Sequence, residues 1–153
     1  MRKIIIAALF SAITLMAMPN NELELLMTAK AAEKKAVVLA TMHLNGEKKE
    51  KFGKLYDEYQ QKLFKLKIEN FELIGEYAKN YNNLTNEKAD KLIKKWLKER
   101  EAQIELDKKY IKKFRKILDS SEVIRYFQIE HRLGLLEEVE KSSVIPLAQP
   151  TAK

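Results

Sequence analysis

Two stretches of this chain repeat apolar residues at steps of three and four, and nothing else in the sequence limits the fold as strongly. Phe52, Leu55, Tyr56, Tyr59, Leu63, Leu66, Ile74, Tyr77 and Tyr81 lay one apolar and aromatic stripe along a helix from about Glu47 to Asn80. At 1.5 Å per residue such a helix runs roughly 50 Å, more than the width of a compact small domain. The second stripe comprises Ala89, Leu92, Ile93, Trp96, Leu97, Ile104, Ile111, Phe114, Ile117 and Leu118. Between them NYNNLT offers Asn residues for a turn and Thr85 as a cap, so the two helices are expected to run antiparallel. Arg100, Gln103 and Asp107 interrupt the second stripe, which either sets the register or leaves a groove. Gly53 and Gly75 each cost a helix about 1 kcal/mol relative to Ala, which close approach of a neighbouring backbone would offset.

Shorter helices flank this pair. Leu23, Leu26, Met27, Ala31, Val38 and Met42 predict one from about Glu22 to Met42, weakest near Lys34-Lys35. Asn45 is the expected N-cap of the first long helix, with Gly46 and Glu47 in its opening turn. DSSEV caps a last helix, in which Val123, Ile124, Phe127, Leu133, Leu136 and Val139 pack inward. Only four Gly and three Pro are present, and no run rich in Val, Ile and Thr between turn residues reads as a strand. The expected fold is therefore all-α: an elongated antiparallel helical hairpin with flanking shorter helices, one domain over 19–142 and an extended tail over 143–153.

The N-terminus, MRKIIIAALFSAITLMAMPNNE, pairs two cations with a weakly polar stretch from Ile4 to Met18, and reads as a signal peptide over 1–18. It is shorter than the roughly 20 apolar residues of a membrane span, so its membrane contact is transient and the expected location is the periplasm. Arg2 and Lys3 leave with such a leader, lowering the formal charge from +7 to +5. That excess matches the segment Asn86 to Asp119, with twelve cations against seven anions. Outside the cytoplasm a basic chain is not expected to meet nucleic acid; its acidic partners are membrane surfaces, anionic polymers or acidic stretches of proteins.

Catalysis finds no support. There is no Gly-rich phosphate loop, no GxSxG and no Cys, hence neither a thiol nucleophile nor a disulfide or thiolate site. His43 and His131 are the only histidines, with Glu47 four residues after the first; without HExxH or clustered His, no metal or cofactor is assigned. The sharpest local feature is DKKYIKKFRKIL, where Lys108, Lys109, Lys112, Lys113, Arg115 and Lys116, with Tyr110 among them, are expected on one face and Ile111, Phe114 and Leu118 on the other. Five of these lysines, 108, 109, 112, 113 and 116, together with Arg125, Tyr126, Phe127 and Gln128 of RYFQIEHRL, are the candidate client- or partner-binding residues. Phe52, Tyr56, Tyr59, Trp96 and Phe114 are expected to form core first and a binding surface second.

LNGEK and LTNEK stand at the starts of the two long helices, forty residues apart. With FGKLYDEYQ, YNNLTNEKADKL, KKYIKKFRKIL and RYFQIEHRL in order, the chain resembles a divergent branch of the Spy/CpxP-like family of exported helical stress chaperones and sensor adaptors. Leu44-Asn45 and Leu84-Thr85 match that family's two LTxxQ motifs, and Lys48 and Lys88 stand where it has Gln. The resemblance implies a curved hairpin, a homodimer, and binding of unfolded or partly folded proteins without ATP. A second class stays open: a sensor or signalling domain for metal or envelope stress, acting through a membrane protein partner.

Overall fold

The computed structural model describes the backbone of residues 20–149, and side chains from residue 28 onward except at 136 and 140. The expected leader lies outside the described residues, as do the end of the tail and the side chains of Leu23, Leu26, Met27 and Leu136. The described chain is all-α. Helix α1 spans Asn20–Met42, α2 Gly46–Asn80 and α3 Asn86–Phe114, with a single 3-10 turn, Tyr81–Asn83, between the last two. Helix α4 spans Ser120–Val144. No strand occurs among the described residues, and no helix there is long and apolar enough to cross a membrane.

Among the described residues the contacts form two compact units: one comprises 20–44 with Ile124–Pro146, the other Asn45–Val123 with 147–149. In the first unit α1 runs unbroken through Lys34-Lys35. The reason is a partner: Lys34 Nζ meets Glu130 Oε2 at 2.7 Å, and both side chains are largely withdrawn from water. Arg125 Nε donates to the Thr41 carbonyl at 3.0 Å. The two contacts pair later residues of α1 with earlier residues of α4, so these helices run antiparallel. Val38 and Met42 of α1 and Tyr126 of α4 are buried. His43, at φ 53°, takes the left-handed conformation that ends α1.

The second unit is the hairpin. Gly46 opens α2 at φ 54°, a conformation that glycine adopts without the steric cost a Cβ brings. Asn45 is the N-cap residue but makes no side-chain capping bond. Thr85 does cap α3, accepting from the Lys88 N–H at 3.4 Å. At the start of α4, Glu122 reaches back to accept from the Asp119 N–H at 2.9 Å, half of a capping box. Lys48, at one of the two motif positions where Gln is expected, bridges to Glu122 at 2.6 Å and so ties the first turn of α2 to the first turn of α4.

The core of the hairpin is aromatic and sits toward its open end. Phe52, Tyr56, Tyr59 and Leu63 of α2 are buried, as are Tyr110 and Phe114 of α3. Phe52 meets Phe114 with ring centroids 5.6 Å apart, and Tyr59 meets Tyr110 at 5.1 Å and Phe114 edge-on at 6.3 Å. Each such pair adds about 0.5–1.5 kcal/mol beyond its buried area. The polar middle of α3 sets the register: Tyr59 Oη donates to Asp107 Oδ1 at 2.6 Å, and Gln103 Nε2 donates to the same oxygen at 2.9 Å. Toward the tip, Asn70 donates to Glu99 at 2.8 Å and Lys95 pairs with Glu76, and no residue of α2 after Leu63 is fully buried.

A Cβ built at Gly53 meets no atom within 4 Å, nor does one at Gly134 of α4. Close approach therefore does not explain Gly53. Gly53→Ala and Gly134→Ala should each stabilise the chain by about 0.5–1 kcal/mol. Urea unfolding followed by circular dichroism checks this, the expected outcome being a higher midpoint at unchanged slope.

Candidate binding surface

The residues that sequence reasoning marked for partner binding do not form one site. Tyr110, expected among the cations, is fully buried against Tyr59. Its hydroxyl donates to Glu58 Oε1 at 2.8 Å, and Lys113 Nζ reaches the same oxygen at 2.6 Å while standing 4.7 Å above the Tyr110 ring. Lys113 is thus a clasp across the hairpin rather than a free cation. Tyr126 is likewise fully buried, 5.1 Å from the Phe127 ring, which corrects its assignment to a binding surface: it is a packing residue. Arg125 is engaged with the Thr41 carbonyl, Phe127 is half-buried, and Gln128 is exposed. Of the motif residues, Leu44 is buried and Leu84 half-buried, Asn45 and Thr85 occupying their cap positions. His43 and His131 are exposed, and among the described residues no group of three or more His, Asp or Glu gathers as a metal site.

What the hairpin does present is a side of large apolar residues in water. Phe64, Ile68 and Phe71 of α2 and Ile93, Trp96, Leu97 and Ile104 of α3 are 37–53 % exposed. Their placement follows from helix geometry. The seam between α2 and α3 runs through Tyr59, Asp107 and Tyr110. A groove on one flank is lined by Lys62, Lys65 and Glu69 of α2 and by Ala102, Glu105 and Lys109 of α3. At about 100° per residue, Phe64 and Phe71 turn to the flank of α2 opposite Lys62, while Ile68, about 60° from Lys65, points away from α3. By the same count Ile93, Leu97 and Ile104 turn to the flank of α3 opposite Glu105 and Lys109. Because one groove joins Lys62 to Lys109, the two opposite flanks also face one way. With about 150–250 Å² per aromatic side chain, the seven residues leave roughly 600 Å² of apolar surface in water, at the upper end of what a monomer exposes in one patch. Arg100, 5.0 Å above the Trp96 ring, is the cation set among them.

Sequence reasoning assigned Ile93, Trp96, Leu97 and Ile104 to the packed stripe, and it missed Phe64, Ile68 and Phe71. The signal was in the sequence: Phe64, Ile68 and Phe71 repeat at four and three on their own, a second stripe about a third of a turn from the first.

Electrostatics sharpen the other flank. The Lys113 ammonium first, and then the Tyr110 hydroxyl, hold the Glu58 carboxyl below its usual range. Lys108 does the same to Glu105. Burial, reinforced by the Glu58 carboxylate, pushes the Tyr110 phenol up to about 12. A phenol whose folded value lies above its unfolded value of about 10 contributes stability that is complete below pH ~10 and is lost as pH rises toward ~12. Tyr110→Phe should therefore flatten the alkaline limb of the stability profile between those values, read as the urea midpoint against pH. An unchanged slope there would place the alkaline sensitivity elsewhere.

No protein-family model, no curated protein and no solved structure matches this chain. The fold and this surface define an all-α protein with an exposed apolar side on a helical hairpin.

Proposed function

We propose that this chain is an exported, ATP-independent chaperone-like protein or envelope-stress adaptor, and that it holds unfolded or partly folded proteins on the apolar side of the α2–α3 hairpin. The observation that carries this reading is the exposure of Phe64, Phe71, Ile93, Leu97 and Ile104 on one flank of two antiparallel helices, with Ile68 and Trp96 exposed beside them. An apolar segment of a client gains there by leaving water, at about 25 cal/mol per Å² of apolar area. Such contacts carry no sequence demand, which suits a binder of many partly folded chains. The positive charge of α3 adds long-range attraction for acidic chains and raises the rate of encounter. Neither a nucleotide nor a metal is needed at any step of this scheme. The leader-like N-terminus and the resemblance to exported helical chaperones point the same way.

The test is suppression of aggregation when a chemically unfolded enzyme is diluted into buffer without ATP. The parent protein should protect at equimolar dose. Ile93→Ser, Leu97→Ser and Ile104→Ser combined should raise the half-protecting dose roughly tenfold, each lost apolar contact being worth about 1 kcal/mol or less at such half-exposed sites. Far-ultraviolet circular dichroism should be unchanged, because none of the three side chains is buried. Equal protection by parent and triple variant sinks the reading.

A further inference from the structure

We propose that the opposite flank of the hairpin docks on an anionic lipid surface. Lys109 and Lys112 stand three residues apart near the end of α3, Lys116 follows in the turn after it, and Lys62 and Lys65 of α2 stand across the groove from Lys109. All five are exposed, and none makes an ion pair among the described residues. The acids nearby offset them only in part: Lys62 acts on the Glu58 carboxylate and Lys112 on Glu105, each without a salt bridge. Glu105 is held by Lys108 at 2.8 Å and Glu58 by Lys113 at 2.6 Å, which leaves Glu69 as the groove's carboxylate without a salt bridge.

The arrangement selects the kind of partner. Lys109 and Lys112 stand roughly 5 Å apart along the helix, with Lys116 in the turn that follows it and the second pair of lysines on the neighbouring helix, so the charge is spread over a face rather than converging on a point. A small anion needs convergent donors. Here the groove, about 400 Å³ in volume, has Leu66, Ala102 and Leu106 on its floor and lysines at its rims. A protein interface centres on a desolvated aromatic or large apolar anchor, and this flank carries none: its apolar residues lie at the groove floor, half-buried. A layer of anionic headgroups needs no anchor. It meets spread lysines with spread charge, each lysine near the surface adding about fivefold to partitioning. The apolar side faces away from this flank, so a chain docked by its lysines keeps that side toward water. The inference does not rest on client binding, since it uses the other flank and other residues.

Co-sedimentation of the full chain with vesicles tests it, comparing phosphatidylcholine alone with phosphatidylcholine containing phosphatidylglycerol. The protein should bind the anionic vesicles, and raising salt to about 0.5 M should release it as the screening length falls below that at physiological ionic strength. Lys109→Gln, Lys112→Gln and Lys116→Gln combined should weaken binding about a hundredfold. The N-terminal stretch is the same in parent and variant, so its own affinity cancels in their ratio. The Ile93, Leu97 and Ile104 serine variant should bind as the parent does, while the vesicle-free aggregation assay reports on the apolar side alone. Three results overturn the proposal: equal binding to neutral vesicles, a lysine variant that binds like the parent, or soluble polyglutamate held as tightly per charge as the vesicles.

Discussion

Two helices packed against each other can bury only the stripe where they face, and the hairpin is organised by where that stripe is aromatic. Phe52, Tyr59, Tyr110 and Phe114 interlock near its open end. The Tyr59–Asp107 bond then fixes how α2 and α3 slide past one another. A half-buried carboxylate that takes a bond across the hairpin resists a one-turn shift, because a shift would take away Tyr59 and leave it only Gln103 of its own helix. Once the register is set there, everything toward the tip is determined by it: Asn70 finds Glu99, and Lys95 finds Glu76. The tip half is held by polar contacts, so its apolar residues are free to face water without loosening the pair.

The helices were legible in the sequence because their signal is periodicity repeated over many turns. Caps fixed their starts to within a residue or two at Asn45, Thr85 and Asp119. Depth was not legible. Ile93, Leu97 and Ile104 keep the same spacing as core residues, yet they lie about a quarter-turn from the seam, and spacing alone does not say which of two stripes on one helix meets the neighbour. Tyr110 misled for the opposite reason. Its neighbours in sequence are lysines, but the residue that shares its face is Phe114, four positions on. The helix expected to be weakest at Lys34-Lys35 runs through it because of a tertiary fact: Glu130, ninety-six residues from Lys34, supplies the counter-charge. Nothing local announces such a partner, and the division into two units is equally a property of distant contacts.

The two flanks of the hairpin divide the physical work. Apolar contact is short-ranged and nonspecific, suited to a partner that is already close. Charge acts over about a Debye length, 8–10 Å at ordinary ionic strength, and suits orientation and encounter. Under the two proposals above, placing the two on different flanks of one helix pair would let a surface be engaged by charge while an apolar segment is held on the other side. A mixed face would force the two to compete for the same residues.

The charge on α3 also answers a liability that the apolar side creates. An exposed apolar area of several hundred Å² invites self-association, because two copies would gain by covering each other's surface. Bringing two hairpins together through that side also brings together two helices that each carry an excess of five positive charges over Asn86 to Asp119. Their repulsion is long-ranged, whereas the apolar gain is realised only at contact, so the barrier comes first on approach. Under the proposed function, a partly folded client with acidic stretches would meet no such barrier. The cationic excess of this segment would therefore, under that proposal, bias the apolar side toward chains unlike itself.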